Sequence, residues 1–376
     1  MIEKAENRNV RVLVTGANGF IGKNLCLRLE EEGYEVTKFC RGDRLEDLED
    51  RIANAEIIVH LAGENRPSEE SAFETGNVGL TQAISVAIGA SPSPKQLILA
   101  SSTQALRDNP YGRSKLAAEK IAEQLASTNE HAAVILRLPG VFGKWSKPAY
   151  NSVVATFCNN VANGLPIVID DSDALLSVIY IDDLVNDIIS IIETPQSGLS
   201  YQQVGPVYSL SVGELATQIQ AFADSRNSLT TERVGSGLVR ALYSTYISYL
   251  PPSEFSYAIP SYVDTRGVFV EMLKTPDCGQ FSYFTAHAGI TRGCHYHHSK
   301  TEKFLVIKGE ALFRFRHLQT GEVVELSVSG NAPTIVDTIP GWVHDITNTG
   351  SDELIVMLWA NEVFDRASPD TFSSEI

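Results

Sequence analysis

Residues 289–309 read Gly289-x5-His295-x-His297-x4-Glu302-x6-Gly309, and these histidines and this carboxylate are side chains that hold divalent metal ions. In a β-strand, positions i and i+2 face the same side, so His295 and His297 converge while Tyr296 and His298 face away. A short turn after them is expected to return Glu302 on the adjacent strand. His344, in the run Pro340-Gly341-Trp342-Val343-His344-x3-Asn348, is placed to supply a fourth ligand from another strand. Three imidazoles and one carboxylate suit zinc, with nickel, manganese and iron compatible on ligand type. Cys294 is the neighbouring alternative, but strand alternation turns it from the two histidines. The bland reading is a polar turn with surface histidines; four ligand types at this spacing, bracketed by two glycines, weigh against it.

A second chemistry lies far upstream. Tyr111 and Lys115 are spaced i, i+4 and share one helix face. An ammonium ~4 Å from the phenol is worth roughly 4 kcal/mol at an effective dielectric near 20, enough to draw a tyrosine pKa from about 10 toward neutrality, where a proton donor works best. Asp108 or Asn109 can cap that helix, and Pro110 suits its first position. Ser102, ending the strand before it, is placed to hydrogen-bond a substrate oxygen, with Thr103 as the fallback. A Tyr-x3-Lys pair alone is most often surface decoration. Its position after a Ser-Ser-Thr strand end is what gives it meaning.

The elements that would position this pair are legible around it. The run "VRVLVTGANGFIGKNLCLRLEEEGYEVTKF" is a β-branched strand, then Gly16-x2-Gly19-x2-Gly22, then a helical pattern with Leu25 and Leu29 four apart, then a second strand. Such glycines allow a tight turn and close approach of a pyrophosphate, which the following helix N-terminus attracts. The triplet is weak evidence alone and fairly strong at the start of a βαβ unit. After the second strand come Cys40 and Arg41, with Lys38 nearby, where an NAD-selective site puts a carboxylate; a guanidinium can hold a 2′-phosphate, so NADP(H) is expected. Asp43, two residues on, keeps NAD open. In the carboxy-terminal third, "EKFLVIKG", "EALFRFRHL", "EVVELSV" and "DELIVMLWA" are short strand-like runs separated by turn residues.

The metal-type runs resemble the two motifs of the cupin superfamily, a double-stranded β-barrel, the second in a shortened form because Gly341 directly follows Pro340. TGANGFIG, "IIVHLAGENRP", Asn77, Ser102, Tyr111-x3-Lys115 and "LRLPGVFG" resemble an extended short-chain dehydrogenase/reductase. That resemblance implies a Rossmann-type doubly wound parallel sheet, cofactor contacts from Gly16, Asn18, Gly19, Phe20, Ile21, Gly22, Arg41, Leu61, Ala62, Tyr111 and Lys115, and a sugar-nucleotide substrate. Two departures stand out. Thr103 and Gln104 replace the acid pair of the 4,6-dehydratases, which argues against water elimination, and Gly140 replaces a frequent sugar-nucleotide-binding Asn.

Over the whole chain, "HLAGENRP", "DNPYG", "EKFLV" and the run from Lys144 to Phe157 resemble the bifunctional capsular polysaccharide-synthesising enzymes and their O-antigen counterparts. The resemblance implies C3 epimerisation of a UDP-2-acetamido-2,6-dideoxy-4-hexulose in the cupin. NADPH-dependent C4 reduction in the dehydrogenase would follow, giving UDP-2-acetamido-2,6-dideoxy-L-talose on the way to N-acetyl-L-fucosamine. A C4 ketone acidifies the C3 hydrogen, so a base can remove it, and a metal can stabilise the enolate as a Lewis acid. For that base the candidates are His298, His287 and Lys303, with His298 preferred; the metal is alternatively a purely structural ion. Asn65, Arg66, Ser102 and Asn151 are expected at the substrate. Further cations for its diphosphate are Arg137, Lys144 and Lys147, each as readily an ordinary surface residue.

At 376 residues the chain can bury two cores, of about 250 and about 120 residues. The division is expected at 250/251, where Pro251, Pro252 and Pro260 interrupt periodicity, giving units 1–250 and 251–376. A net charge of −16 spread along the chain disfavours nucleic acid as a partner. Five cysteines without regular spacing fit reduced thiols. A charged start and the lack of a long apolar run predict a cytoplasmic protein with no membrane insertion, and the resemblance implies a homodimer. Two other readings remain: a nucleotide sensor with a cupin binding module, which has no need of Ser102, Tyr111 and Lys115, and a 4-epimerase with tightly held NAD, which Arg41 disfavours.

Overall fold

The computed structural model describes residues 10–376 apart from 68, 129, 195 and 368, so the charged start lies outside the described residues. The chain divides into two compact units. One comprises the described residues up to 219 together with 241–250; the other comprises 220–240 and 251–376.

The first unit is built on a six-stranded parallel sheet, in the order Glu35–Phe39, Arg11–Thr15, Ile57–His60, Gln96–Ser102, Ala132–Leu138, Leu199–Gln202. Its central strands are buried along nearly their whole length and mostly apolar, as expected where helices cover both faces of a parallel sheet. Helix Phe20–Glu31 buries Leu25 and Leu29, and helix Pro110–Thr128 buries Ala118, Ala122 and Leu125. The small alanines let the latter helix lie close to the sheet, which places Tyr111 and Lys115 near the strand end at Ser102. Strand order reverses beside Arg11–Thr15, where doubly wound sheets open a crevice for ligands.

The second unit is all-β from Tyr262 onward. A six-stranded antiparallel sheet runs Tyr262–Asp264, Gly267–Thr275, Gly279–Ala286, Leu354–Ala360, Glu302–Lys308, Ile335–Asp337. A five-stranded one runs Val323–Ser329, Glu310–His317, Trp342–Asn348, Thr291–Tyr296, Phe372–Ser373. Their inner faces share one core, with Phe284, Phe304 and Val356 from the first sheet meeting Phe313, Phe315 and Ile346 from the second. All four strand-like runs read from the sequence are strands.

Segment 220–240, expected with the first unit, groups with the second. Thr230 bridges to Lys274, Arg233 pairs with Asp277 at 2.8 Å, and Arg226 donates to the carbonyl of Glu254 at 2.7 Å. None of these partners is close in sequence, so local periodicity could not reveal the grouping.

Candidate functional site

Gly16, at the end of the first strand, has φ +67°, and its amide donates to the Phe39 carbonyl at 2.8 Å. A Cβ there would lie 2.7 Å from the Ala62 nitrogen, so only glycine fits. Gly19 begins helix Phe20–Glu31 in an extended conformation, without a side-chain cap. The helix N–H groups are thus available at a cleft of about 740 Å³, lined by Gly16, Asn18, Gly19, Arg41, Leu61 and Ala62 among others. Phe20 and Ile21 occupy the helix's first turn and do not line that cleft. Gly22 is buried against the carbonyl of Gly16, so it serves helix-to-turn packing.

Arg41 extends its exposed guanidinium at one side of this cleft and pairs with Glu64. Asp43 is occupied: its carboxylate accepts from the Cys40 amide at 3.0 Å and pairs with Arg51 at 2.6 Å. These two bonds hold it below the usual carboxylate range. Lys38 pairs instead with Glu30 at 2.6 Å.

Ser102 ends strand Gln96–Ser102, and its hydroxyl accepts from the Gln104 amide at 3.1 Å. Helix Pro110–Thr128 is capped by Asn109, whose side chain accepts from the Gly112 amide at 2.8 Å. Asp108 instead pairs with Arg113 at 2.5 Å. Tyr111 sits in the first turn with its phenol beside Ser102, whose hydroxyl favours the phenolate. The sequence reading expected Lys115 to draw the phenol pKa down, and the structure corrects this. Burial raises the Tyr111 pKa, offset only by the Ser102 hydroxyl. The Lys115 ammonium donates to the Ala100 carbonyl at 2.9 Å, and burial pushes it down to about 8, with Glu119 opposing.

Of the supporting groups, Asn77 was named in the dehydrogenase resemblance, whereas His60 and Glu119 were not singled out from the sequence. Asn77 is buried, donates to Ser114 at 2.9 Å and accepts from the Glu64 amide at 2.7 Å, tying the cleft loop to the Tyr111 helix. His60 is enclosed between Thr15 at 2.7 Å and Thr81 at 3.0 Å, and burial pushes it down to about 3. Glu119, fully buried, takes a two-pronged contact from Arg137 at 3.0 and 2.6 Å and a bond from Ser101. Arg137 is therefore committed inside the fold and is not a free cation for a diphosphate, contrary to expectation. Lys144 is likewise paired, with Asp182 at 2.5 Å. Asn65 and Arg66 lie exposed on the loop after strand Ile57–His60, and Asn151 lies exposed just before helix Val153–Ala162. Among the described residues, none of these three hydrogen-bonds Ser102, Tyr111 or Lys115.

In the second unit, His295 on strand Thr291–Tyr296 pairs directly with His344 on strand Trp342–Asn348, ring centroids 4.6 Å apart. The strands approach closely at Gly293, φ +101°, where a Cβ would meet the His344 carbonyl at 2.9 Å. His297 follows the strand end. Glu302 was expected on the adjacent strand of the same sheet; it comes instead from the opposite sheet, so the site spans the barrel interior. One donor atom from each of the four residues lies within 4.8 Å of the others. Glu302 Oε2 is 3.2 Å from His297 Nε2 and 3.5 Å from His344 Nε2, and Oε1 is 2.9 Å from the buried Lys300 ammonium. Burial would raise the Glu302 pKa, but the two histidines and Lys300 outweigh it and keep the carboxylate ionised. Burial pushes His295 down to about 4, keeping its imidazole neutral.

Both ring nitrogens of His344 are buried without a hydrogen-bond partner. Orphaned buried nitrogens beside the neutral His295 imidazole and an ionised carboxylate suit a tetrahedral divalent ion, so the donor set fits zinc. Cys294 is turned out by a bulge, its φ +60°, with its sulfur 3.8 Å from Asp345. The preferred base is also displaced from the cluster. His298 is exposed, its ring against Tyr296 and Phe372, because alternation carries it to the opposite side. Lys303 is exposed and paired with Asp337 at 2.6 Å, and His287 is exposed.

Fold and sites together define a nicotinamide-dinucleotide dehydrogenase-type unit on one chain with a metal-type cupin. Residues 12–205 match the NAD dependent epimerase/dehydratase family, and residues 262–372 match the polysaccharide biosynthesis C-terminal domain. A UDP-2-acetamido-2,6-beta-L-arabino-hexul-4-ose reductase of Pseudomonas aeruginosa is 53% identical over 368 residues, covering 98% of this chain and 99% of the relative. The crystal structure of capsular polysaccharide assembling protein CapF from Staphylococcus aureus superposes with TM-score 0.89 at 38% identity, over 98% of this chain and 100% of that one. MoeE5 in complex with UDP-glucuronic acid and NAD shares the fold of the first unit, with TM-score 0.55 at 21% identity over 63% of this chain and 98% of its own. The chain belongs to the NAD dependent epimerase/dehydratase family and also carries the polysaccharide biosynthesis C-terminal domain. Among the described residues, no helix is long and apolar enough to cross a membrane.

Proposed function

We propose that the chain is a bifunctional UDP-sugar enzyme of capsule or O-antigen synthesis. The cupin unit epimerises C3 of a UDP-2-acetamido-2,6-dideoxy-4-hexulose, and the dehydrogenase unit reduces its C4 ketone to UDP-2-acetamido-2,6-dideoxy-L-talose. The grouping of Ser102 at a strand end with Tyr111 in the first turn of the next helix and Lys115 one helical turn behind carries the reading. The 53% identity to a UDP-2-acetamido-2,6-beta-L-arabino-hexul-4-ose reductase supports it.

The reduced cofactor supplies a hydride to C4. Ser102 holds the C4 oxygen, and the Tyr111 hydroxyl gives its proton to the oxygen as the C–O double bond becomes single. A phenol kept protonated by burial suits a donor, and the Lys115 ammonium stabilises the phenolate left behind. Arg41, the cation at the cleft, favours NADPH, because a 2′-phosphate can take the place of Glu64 on its guanidinium.

In the cupin, the ketone at C4 acidifies the C3 hydrogen, which leaves as a proton and returns on the other face. His295, His297, Glu302 and His344 would hold a zinc ion, which supplies Lewis acidity toward a carbonyl oxygen. The enzyme is assigned to the cytoplasm as a homodimer, in keeping with the resemblance.

The test is Tyr111→Phe with the ketosugar and NADPH. Removing a proton donor costs about 10²–10⁴-fold in reduction, while C3 exchange in the cupin persists. Unchanged NADPH oxidation would remove Tyr111 from the mechanism.

A further inference from the structure

The loop that carries two of the four metal-type ligands is held, residue by residue, by the end of the chain. Ser374 donates its amide to the Cys294 carbonyl at 3.0 Å. Strand Phe372–Ser373 pairs with His295 and Tyr296, and the Phe372 ring stacks on Tyr296 with centroids 5.4 Å apart. The Asp370 carbonyl is hydrogen-bonded to His297 Nδ1. The Asp370 carboxylate then accepts the amides of His298 at 2.9 Å, Ser299 at 2.8 Å and Lys300 at 2.8 Å, with the Ser299 hydroxyl at 3.0 Å. Arg316 anchors the far end through Ser374 and the Glu375 carbonyl at 3.1 and 3.0 Å.

We propose that Asp370 is a positioning residue of the metal centre. Its carboxylate shapes the 298–300 turn between His297 and Glu302, and its carbonyl fixes the tautomer of His297. A carbonyl can only accept, so Nδ1 must carry the proton; Nε2, which contacts Glu302 Oε2 at 3.2 Å, would present its lone pair to the cluster when a metal is bound. A ligating histidine needs such an orienting partner, and loss of one commonly lowers metal affinity 10–100-fold. Phe372 and Ser373 cover the edge of the ligand strand and hold the tail in register. The inference rests on the reading of the four residues as a metal site.

The experiment uses the full chain stripped of metal and titrated with Zn²⁺ against a chromophoric chelator, for wild type, Asp370→Ala and Asp370→Asn. Side-chain ¹⁵N spectra report the His297 tautomer. Asp370→Ala keeps the backbone carbonyl but removes the carboxylate bonds that hold it against His297, so it is expected to bind Zn²⁺ 10–100-fold more weakly and, as the carbonyl shifts away, to show mixed His297 tautomers. Asp370→Asn keeps an oxygen acceptor for the turn and is expected to recover part of the affinity, which guards against an alanine variant that does not fold. A purely structural role would lower the melting temperature of the apo-protein yet leave the Zn²⁺ affinity of folded protein and the tautomer unchanged; that result overturns the proposal. Absence of Zn²⁺ binding by wild type overturns the metal-site reading and this inference with it, whereas equal binding by wild type and both variants overturns this inference alone.

Discussion

Gly22→Ala tests whether helix Phe20–Glu31 is packed on the glycine turn as closely as the cofactor site requires. A Cβ at position 22 would sit 2.3 Å from the Gly16 carbonyl oxygen, 2.7 Å from Ala17 Cα and 2.9 Å from Ala17 C. All three are backbone atoms, so no rotamer change relieves the clash. Restoring an ordinary contact moves the helix start by about 1 Å, and overpacking of this kind costs about 1–3 kcal/mol, here toward the upper end. Alanine recovers up to ~1 kcal/mol of helix propensity, leaving a net loss of roughly 2 kcal/mol. In a unit of this size that lowers the melting temperature by roughly 4–8 °C. The same displacement pulls the helix N–H groups from the pyrophosphate position, so NADPH affinity should fall tenfold or more. Thermal melts and NADPH fluorescence titrations read both effects, with Gly235→Ala, where nothing lies within 4 Å, as the neutral control. A more stable Gly22→Ala protein with unchanged NADPH affinity would refute the packing argument.

Two further outcomes follow from the first unit. Lys115, held down to about 8 by burial with Glu119 opposing, must be charged to act, so kcat/KM for reduction should fall as pH rises through about 8; in Glu119→Gln that limb should move to lower pH, and a limb that stays in place would detach Glu119 from Lys115. Arg41→Ala should weaken NADPH tenfold or more while sparing NADH, read from KM for the two cofactors, and an unchanged ratio would remove Arg41 from cofactor choice.

What was legible in the sequence is what short-range geometry dictates. Gly16, Gly19 and Gly22 lie within one strand–turn–helix, Tyr111 and Lys115 on one helix face, and His295 and His297 at the i, i+2 spacing of a strand. The rest depends on partners distant along the chain. Glu302 meets the histidines across the barrel rather than along a sheet, and Asp370 reaches His297 over 73 residues. Glu119 could have been noticed, since Tyr111, Lys115 and Glu119 recur every four residues. Its Arg137 partner lies on a strand and carried no such signal. The expected lowering of the Tyr111 pKa failed because burial of the phenol, which the i, i+4 spacing cannot show, raises it. His298 stands away from the cluster because the alternation that brings His295 and His297 together sends it to the outside.

The central claim is that one chain carries two active sites that act in order, and NMR in deuterated water tests it most directly. The wild-type, zinc-loaded enzyme is given a UDP-2-acetamido-2,6-dideoxy-4-hexulose with NADPH first withheld and then added. The account predicts deuterium at C3 before NADPH and reduction at C4 after it. Reduction with no prior exchange at C3 would contradict it and leave the chain a reductase with a non-catalytic cupin.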